Sequence, residues 1–130
     1  MKQPSLVSVH NTTRHVVLAG QVVQARSFWL RLRGLLGRAE LPPDAGLIIS
    51  PCNMVHMWGM QFAIDVVYIS KENVVLACVT GLRPWAVGPY VRQAAWVLEL
   101  QVGKLAASGT KVGDTIEIGR LIGPESLPNG

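Results

Sequence analysis

Turn-forming residues divide this chain into short apolar segments, and their spacing restricts the fold more than any other feature of the sequence. Each segment has the length of a β-strand, and several alternate apolar and polar side chains. Seven such segments lie at residues 6–9, 16–18, 46–49, 62–69, 74–80, 95–100 and 115–118. Short strands separated by turns predict a mainly β domain, either a small antiparallel sandwich or a barrel-like sheet.

One further segment has the pattern of a longer helix. Ser27 can cap a helix over residues 27–36, and Gly37 can end it. The apolar side chains of this segment have the spacing of a core-facing stripe: Phe28, Leu32, Leu35 and Leu36. We therefore expect one α-helix packed against the sheet. Residues 103–109 leave room for a single additional helical turn.

Length and composition indicate one domain over residues 1–130, with a loose tail from residue 124. Apolar residues make up 49% of the chain and charged residues 15%, which is typical of a protein with a packed core. The net charge of +4 comes from scattered basic residues, so we expect no nucleic-acid partner. No apolar run reaches the roughly 18 residues of a membrane span, and no signal-peptide pattern is present. We therefore expect a cytoplasmic protein without a membrane partner, and the sequence leaves its oligomeric state open.

Asp65 stands in a segment that is otherwise apolar on both faces. With the period of a strand, Ala63, Val67 and Ile69 share its side. An unpaired buried carboxylate costs on the order of several kcal/mol, so Asp65 must find hydrogen-bond donors. Either those donors make Asp65 a structural residue, or Asp65 is the centre of a polar site.

Glu99 repeats this pattern between the apolar residues Leu98 and Leu100. If Asp65 and Glu99 approach each other, their repulsion raises one pKa and creates an acid beside a base, as in glycoside hydrolysis. The alternative is that each carboxylate pairs with a nearby arginine, such as Arg83 or Arg92, or caps loop amides. Structural ion pairs perturb pKa values as well as catalytic pairs do, so both interpretations stay open.

His56 is the candidate base nearest to Asp65 in the sequence. Histidine titrates near neutral pH and can shuttle protons. Its apolar neighbours Met57 and Trp58 fit equally well with a core or rim residue that makes one backbone hydrogen bond.

No motif in the chain predicts a cofactor or a metal. A phosphate-binding loop and a dinucleotide fingerprint are both missing from the sequence. Cys52, His56 and Asp65 would give zinc three ligands, and a structural zinc site needs four. In a reducing cytoplasm, Cys52 and Cys78 are expected to be reduced and unbridged.

The segment that follows Gly81 has the features of a recognition loop. Pro84 favours an extended conformation at Arg83, and Trp85 comes next. An exposed tryptophan beside an arginine offers a stacking face and a planar donor, which suits a sugar, an aromatic ring or a carboxylate. The alternative is that Trp85 folds back over one end of the barrel, because burial of its large apolar area is favourable.

Several short motifs occur together in an order that is more specific than any one of them. They are Arg33-Gly34-Leu35-Leu36-Gly37-Arg38, His56 with Gly59-Met60, Ile64-Asp65-Val66-Val67, Gly81-Leu82-Arg83-Pro84-Trp85, Val97-Leu98-Glu99-Leu100 and Gly113-Asp114. With these motifs the chain resembles the domain of unknown function 192 family of bacterial and archaeal proteins, over residues 26–118. The resemblance implies a small, barrel-like β fold with one packed helix, and it implies no activity.

The chain departs from this family pattern at three positions. Ala63 stands where the family usually has proline, and Met57 stands where related members often have threonine. Gln61 stands where many members have arginine, so this chain lacks one basic group that could bind a shared anionic ligand.

Two functions of different kinds follow from these residues. In the first, the domain binds a small polar ligand between His56, Asp65, Arg83 and Glu99, with Trp85 as a stacking face. In the second, Asp65 or Glu99 is the acid or base of a hydrolytic enzyme, with His56 as its partner. Because no motif fixes a nucleophile, a metal or a cofactor, the sequence favours the binding domain.

Overall fold

The computed structural model describes residues 6–25 and 41–120. Its strands are β1 (Leu6–Asn11), β2 (Val16–Ala25), β3 (Ala45–Ile49), β4 (Ile64–Ser70), β5 (Val75–Leu82), β6 (Ala94–Gln101) and β7 (Ile116–Arg120). Each predicted strand segment overlaps one of them, and the prediction of a mainly β, barrel-like domain is confirmed. The predicted helix at residues 27–36 and the tail from residue 124 lie outside the described residues.

The strands form one sheet in the order β5-β4-β6-β3-β2-β1-β7. Neighbouring strands are antiparallel except β2 and β3, which run parallel with Val22 opposite Gly46. A hairpin joins β4 to β5, and the Asn73 amide donates to the Ser70 carbonyl at 2.9 Å in its turn. Asn73 has a φ of 65°, a conformation that asparagine tolerates better than most residues.

The two edge strands approach each other at one end of the sheet. The Val75 amide donates to the Asp114 carbonyl, and the Ile116 amide donates to the Asn73 carbonyl, each at 2.8 Å. Val74 and Thr115 form an isolated antiparallel bridge at the same place. These contacts accompany the bending of the sheet into a half-barrel.

The two faces of the sheet carry two hydrophobic cores. Among the described residues, the interior core takes side chains from all seven strands and from a short helical segment: Val7, Val9, Leu18, Ala19, Val22, Ile48, Val67, Ile69, Val75, Trp96, Leu98, Leu100, Leu105 and Ile116. The outer core lies on the opposite face, between the middle strands and the loops: Leu41, Leu47, Ile49, Val55, Met57, Met60, Phe62, Ile64, Val66, Tyr68, Leu82 and Val97. Because both faces are covered, β4 reads as a nearly continuous apolar run.

A short helix, α1 (Lys104–Ser108), connects β6 to β7. Gly103 and Gly109 flank it with φ angles of 98° and 70°, in the left-handed region that glycine adopts without strain. Leu105 is buried in the interior core. The single helical turn predicted at residues 103–109 is therefore confirmed.

Within residues 6–25 and 41–120, no helix has the length and apolar character needed to cross a membrane. Cys52 and Cys78 are not joined by a disulfide. Cys78 packs against the interior core and Cys52 against the outer core, so the sheet lies between them. Burial raises the pKa of the Cys78 thiol, and the carboxylates of Asp114 and Asp65 raise it further.

Candidate functional site

Two loops run side by side over the outer face of the sheet. The first, residues 50–63, joins β3 to β4, and the second, residues 83–93, joins β5 to β6. We call them the loop pair. Backbone bonds connect them: the Met57 amide donates to the Ala86 carbonyl at 2.8 Å, and the Gly88 amide donates to the Val55 carbonyl at 2.7 Å. His56 and Val87 form an antiparallel bridge between the two loops.

Side chains alternate along the loop pair as they do along a strand. Val55 and Met57 point inward and belong to the outer core. Their neighbours point away from the sheet, together with residues of the second loop, and form what we call the aromatic face: Met54, His56, Trp58, Trp85, Val87 and Tyr90. Every member except the half-buried His56 is an exposed large apolar residue. Large exposed apolar residues that are concentrated on one pair of loops mark binding surfaces more often than isolated ones do.

Three rings form a row at the centre of the aromatic face. The His56 and Trp58 rings lie 5.6 Å apart between centroids, with 34° between their planes. The Trp58 and Trp85 rings lie 6.0 Å apart, with 44° between their planes. Trp58 is 45% exposed and Trp85 is 64% exposed, so both indoles keep a large accessible surface. Of the two alternatives for Trp85, the structure has the exposed ring and not the one folded over the barrel.

Trp85 also has a strained backbone. Its φ is 67°, in the left-handed region that a bulky side chain rarely adopts. The Trp85 amide donates to the Met57 carbonyl at 2.8 Å, and this bond holds the residue in place. Strain of this kind costs about 1–3 kcal/mol and tends to occur at functional sites.

The loop pair carries positive charge and no acidic residue. Arg83 and Arg92 are both exposed on the second loop. Neither loop contains aspartate or glutamate. The fields of Arg83 and Arg92 are therefore not cancelled by an acidic residue of either loop, and they favour anionic ligands.

Asp65 lies on the other side of the sheet, away from the aromatic face. It is fully buried and pairs in register with Leu100, a member of the interior core. Its Oδ1 accepts the Gly81 amide at 2.9 Å, and its Oδ2 accepts the amides of Gly103 and Leu105 at 3.0 and 2.9 Å. The donors that the sequence required are thus backbone amides, and Asp65 ties the end of β5 to the start of α1.

Glu99 faces the outer core, where it is fully buried. It pairs with Val66 of β4 and Leu47 of β3, both of which belong to that core. Since Asp65 faces the interior core, the two carboxylates lie on opposite faces of the sheet. The structure therefore does not bring Asp65 and Glu99 together as an acid and a base.

Tyr68 shares the outer face with Glu99 and lies beneath the loop pair. Burial raises its pKa to about 12, with Cys52 and Glu99 adding to the rise and the Val55 backbone partly offsetting it. An ideal Cβ on Gly88 would lie 2.6 Å from the Tyr68 hydroxyl oxygen. A glycine is therefore required where the second loop crosses this tyrosine.

A polar network that the sequence did not predict joins β1 to the residues after α1. The Asn11 Nδ2 donates to the Thr110 hydroxyl at 3.0 Å and to Asp114 Oδ2 at 2.9 Å. Arg14 Nε and the Lys111 amide donate to the same Oδ2 at 2.6 and 3.0 Å. Burial alone would raise the pKa of Asp114, but its bonds to Asn11, Arg14 and Lys111 hold that pKa below its ordinary value. In the sequence, Asp114 belongs to the Gly113-Asp114 motif, but no pattern there connects it to Asn11 or Arg14.

The residues that the structure describes contain no candidate metal site, because no group of three His, Cys, Asp or Glu side chains is placed to share an ion.

Of the five candidate site residues, His56 and Trp85 lie on the aromatic face, and Arg83 is exposed on the second loop. Glu99 is buried on the same side of the sheet, and Asp65 lies on the other. Trp58 and Tyr90 are members of the surface that the sequence did not single out.

Comparison with known proteins agrees with the motifs of the chain. Residues 8–118 match the DUF192 family, described as Uncharacterized ACR. The chain belongs to the DUF192 family. A UPF0127 protein from Pyrococcus abyssi (strain GE5 / Orsay) is 31% identical over 112 residues, which cover 82% of this chain and 93% of that protein.

Two solved structures have the same fold as this DUF192 protein. A protein of unknown function from Novosphingobium aromaticivorans DSM 12444 has a TM-score of 0.68 and 25% identity, over 86% of this chain and 83% of that one. A protein from Sinorhizobium meliloti 1021, described as a candidate transcription regulator, has a TM-score of 0.72 and 24% identity, over 89% of this chain and 94% of that one. The second likeness shows the fold alone.

Proposed function

We propose that this DUF192 protein is a binding domain whose aromatic face recognises a small polar ligand with a flat or ring-shaped apolar surface. Trp58 and Trp85 supply stacking faces, His56 adds a half-buried ring beside Trp58, and Arg83 supplies a planar donor. The observation that carries the proposal is Trp85, which is both exposed and strained.

The exposure and the backbone strain of Trp85 favour a role in binding over a role in stabilising the fold. A tryptophan that served the fold would gain from burial, yet Trp85 is 64% exposed. It also has a φ of 67°, which glycine would adopt at lower cost. A residue that contributes little burial and costs strain is best explained by contact with something outside the chain.

The hydrolytic alternative receives less support. Glycoside hydrolysis needs two carboxyl groups on either side of one scissile bond, about 5–10 Å apart. Asp65 and Glu99 face opposite cores, and both are fully buried. Asp65 also already accepts three backbone amides.

A thermal-shift screen tests the proposed function. The panel contains sugars, sugar acids and aromatic acids, because a ligand that binds only the native state raises the melting temperature. We expect at least one of these to stabilise the wild type and to lose its effect on Trp85→Gly. Glycine removes the indole and relieves the backbone strain, so the variant should be as stable as the wild type or more so without ligand.

Val112→Ala is the matched control. Val112 is also 64% exposed, but it lies in the turn that precedes β7, outside the loop pair. A ligand bound at the aromatic face should stabilise this variant as it does the wild type. The proposal fails if Trp85→Gly responds to every ligand as the wild type does, or if Trp85→Gly is clearly less stable than the wild type without ligand.

A further inference from the structure

We infer that the ligand of the aromatic face is an acidic saccharide, such as an oligomer of uronic acid. This inference rests on the proposed function and adds the chemical class of the ligand. Two independent features support it: the angle between the indole rings and the charge of the loop pair.

The indole rings do not form a slot for a flat ligand. The planes of Trp58 and Trp85 meet at 44° with centroids 6.0 Å apart, so one planar aromatic ring cannot lie parallel to both. A chain of pyranose rings is puckered and turns from one unit to the next. Successive units can therefore place their C–H faces on two tilted indoles, and His56 extends the row by one more ring.

The charge of the loop pair selects an anionic ligand. Arg83 and Arg92 are exposed on the second loop, and neither loop holds an acidic residue. Glu99 lies on the same side of the sheet but is fully buried, so a ligand on the surface does not touch it. Gln61 adds no charge to the first loop. Arg83, two residues before Trp85, is therefore the group we assign to a sugar carboxylate, which its planar fork matches.

An anionic membrane is the competing partner for a basic surface with exposed tryptophan and tyrosine. Stable membrane attachment needs a large inserted apolar surface or a cluster of several basic residues. The loop pair has only two arginines. Backbone hydrogen bonds connect its two loops, and their inward side chains pack on the outer core. Trp58 and Trp85 also pack against each other instead of standing apart as separate inserting tips. These features favour a ligand that lies across the rings.

Calorimetry with two matched trisaccharides tests the inference. The probes are trigalacturonate and its fully methyl-esterified form, which has the same rings and no carboxylate charge. At low ionic strength, we expect the wild type to bind the acid about ten-fold more tightly than the ester. Arg83→Gln should bind both with the affinity that the wild type has for the ester. Trp85→Gly should bind neither.

Lys71→Gln is the control for net charge. It makes the same change of charge as Arg83→Gln, but Lys71 is exposed in the turn between β4 and β5, outside the loop pair. It should keep the preference for the acid. Loss of the preference in Lys71→Gln would assign it to the whole charge of the protein and overturn the role of Arg83.

The remaining outcomes separate the inference from the proposed function. Equal affinity of the wild type for acid and ester overturns the acidic class and leaves the binding surface standing. If neither trisaccharide binds while another small ligand stabilises the wild type but not Trp85→Gly, the saccharide class is wrong and the proposed function holds. Binding to phosphatidylglycerol vesicles, with no binding of either trisaccharide or any small ligand, overturns both.

Discussion

The substitution Asp65→Asn tests whether a buried carboxylate holds this half-barrel together. Asp65 accepts the amides of Gly81, Gly103 and Leu105 at 2.9–3.0 Å and has no exposed surface. These bonds connect the end of β5 to the start of α1. Asparagine has almost the same shape, so the change removes charge and one acceptor without creating a cavity.

The expected loss follows from the number of amides. Asparagine keeps one acceptor oxygen and turns an NH₂ group toward at least one of the three amides. Leaving one buried N–H unsatisfied costs about 1–3 kcal/mol, and each remaining bond loses its charge assistance. Asparagine also avoids the cost of burying an ion, which offsets part of this loss. We expect Asp65→Asn to lower the free energy of unfolding by about 1–3 kcal/mol, and Asp65→Leu to lower it further.

Urea denaturation followed by far-ultraviolet circular dichroism measures this free energy. Asp44→Asn is the control, because Asp44 is exposed and its side-chain Oδ1 accepts the Gly20 amide at 2.8 Å. Asp44→Asn should lower the free energy of unfolding by less than about 1 kcal/mol, since the Gly20 amide also donates to the Asp44 backbone carbonyl at 3.1 Å and keeps that bond in the variant. Unchanged or increased stability of Asp65→Asn would refute the structural role and would make Asp65 a candidate for a strained functional carboxylate.

Four further predictions concern acid stability, alkaline stability, the contact between Gly88 and Tyr68, and the thiols. The pKa of Asp114 is lower in the folded protein than in the unfolded chain, so its ionised form stabilises the fold at pH values above the ordinary pKa of aspartate. This stabilisation is lost as pH falls through the folded-state pKa, and Asp114→Asn should therefore show a smaller decrease in the free energy of unfolding with acid than the wild type does. The pKa of Tyr68 is about 12 in the folded protein and 10.0 ordinarily, so the free energy of unfolding should decrease as pH rises from 10 to 12. Tyr68→Phe has no ionisable hydroxyl at this position and should not show this alkaline decrease. Gly88→Ala should cost about 1–3 kcal/mol in the wild type and less in Tyr68→Phe, because the oxygen that meets the new Cβ is then gone; equal costs would contradict the contact. Thiol titration under denaturing, non-reducing conditions should find both Cys52 and Cys78, and native Cys78 should react slowly because burial raises its pKa; finding neither thiol would overturn the prediction that both are reduced.

The strands were predictable because their signal is local. Period-2 patterns and turn residues mark each strand, and the pattern of glycines at 103 and 109 marks the turn of α1. The parallel pairing of β2 with β3 was not predictable in the same way, because it depends on which distant segments meet. The sequence showed that Asp65 needs donors but could not identify them, since two of the three amides lie 38 and 40 residues away.

The candidate site was only partly visible in the sequence. Arg83 and Trp85 could be recognised in the sequence because they lie directly before and after Pro84. The row formed by Trp58 and Trp85 requires two loops to lie side by side, which no local pattern encodes. Whether Asp65 and Glu99 share a face depends on the register of β4 against β6, and one step of register reverses the answer.

Nuclear magnetic resonance titration tests most directly whether the aromatic face is the binding surface. The side-chain N–H signals of Trp58 and Trp85 report on that face. The corresponding group of Trp96 is a built-in control, because it donates to Asn73 Oδ1 at 3.2 Å in a buried position of the interior core. On addition of trigalacturonate, the signals of Trp58 and Trp85 and the amides of residues 54–58 and 83–90 should shift, and the Trp96 signal should stay in place. Shifts centred on Trp96 and the amides that Asp65 holds, with an unchanged aromatic face, would contradict the account.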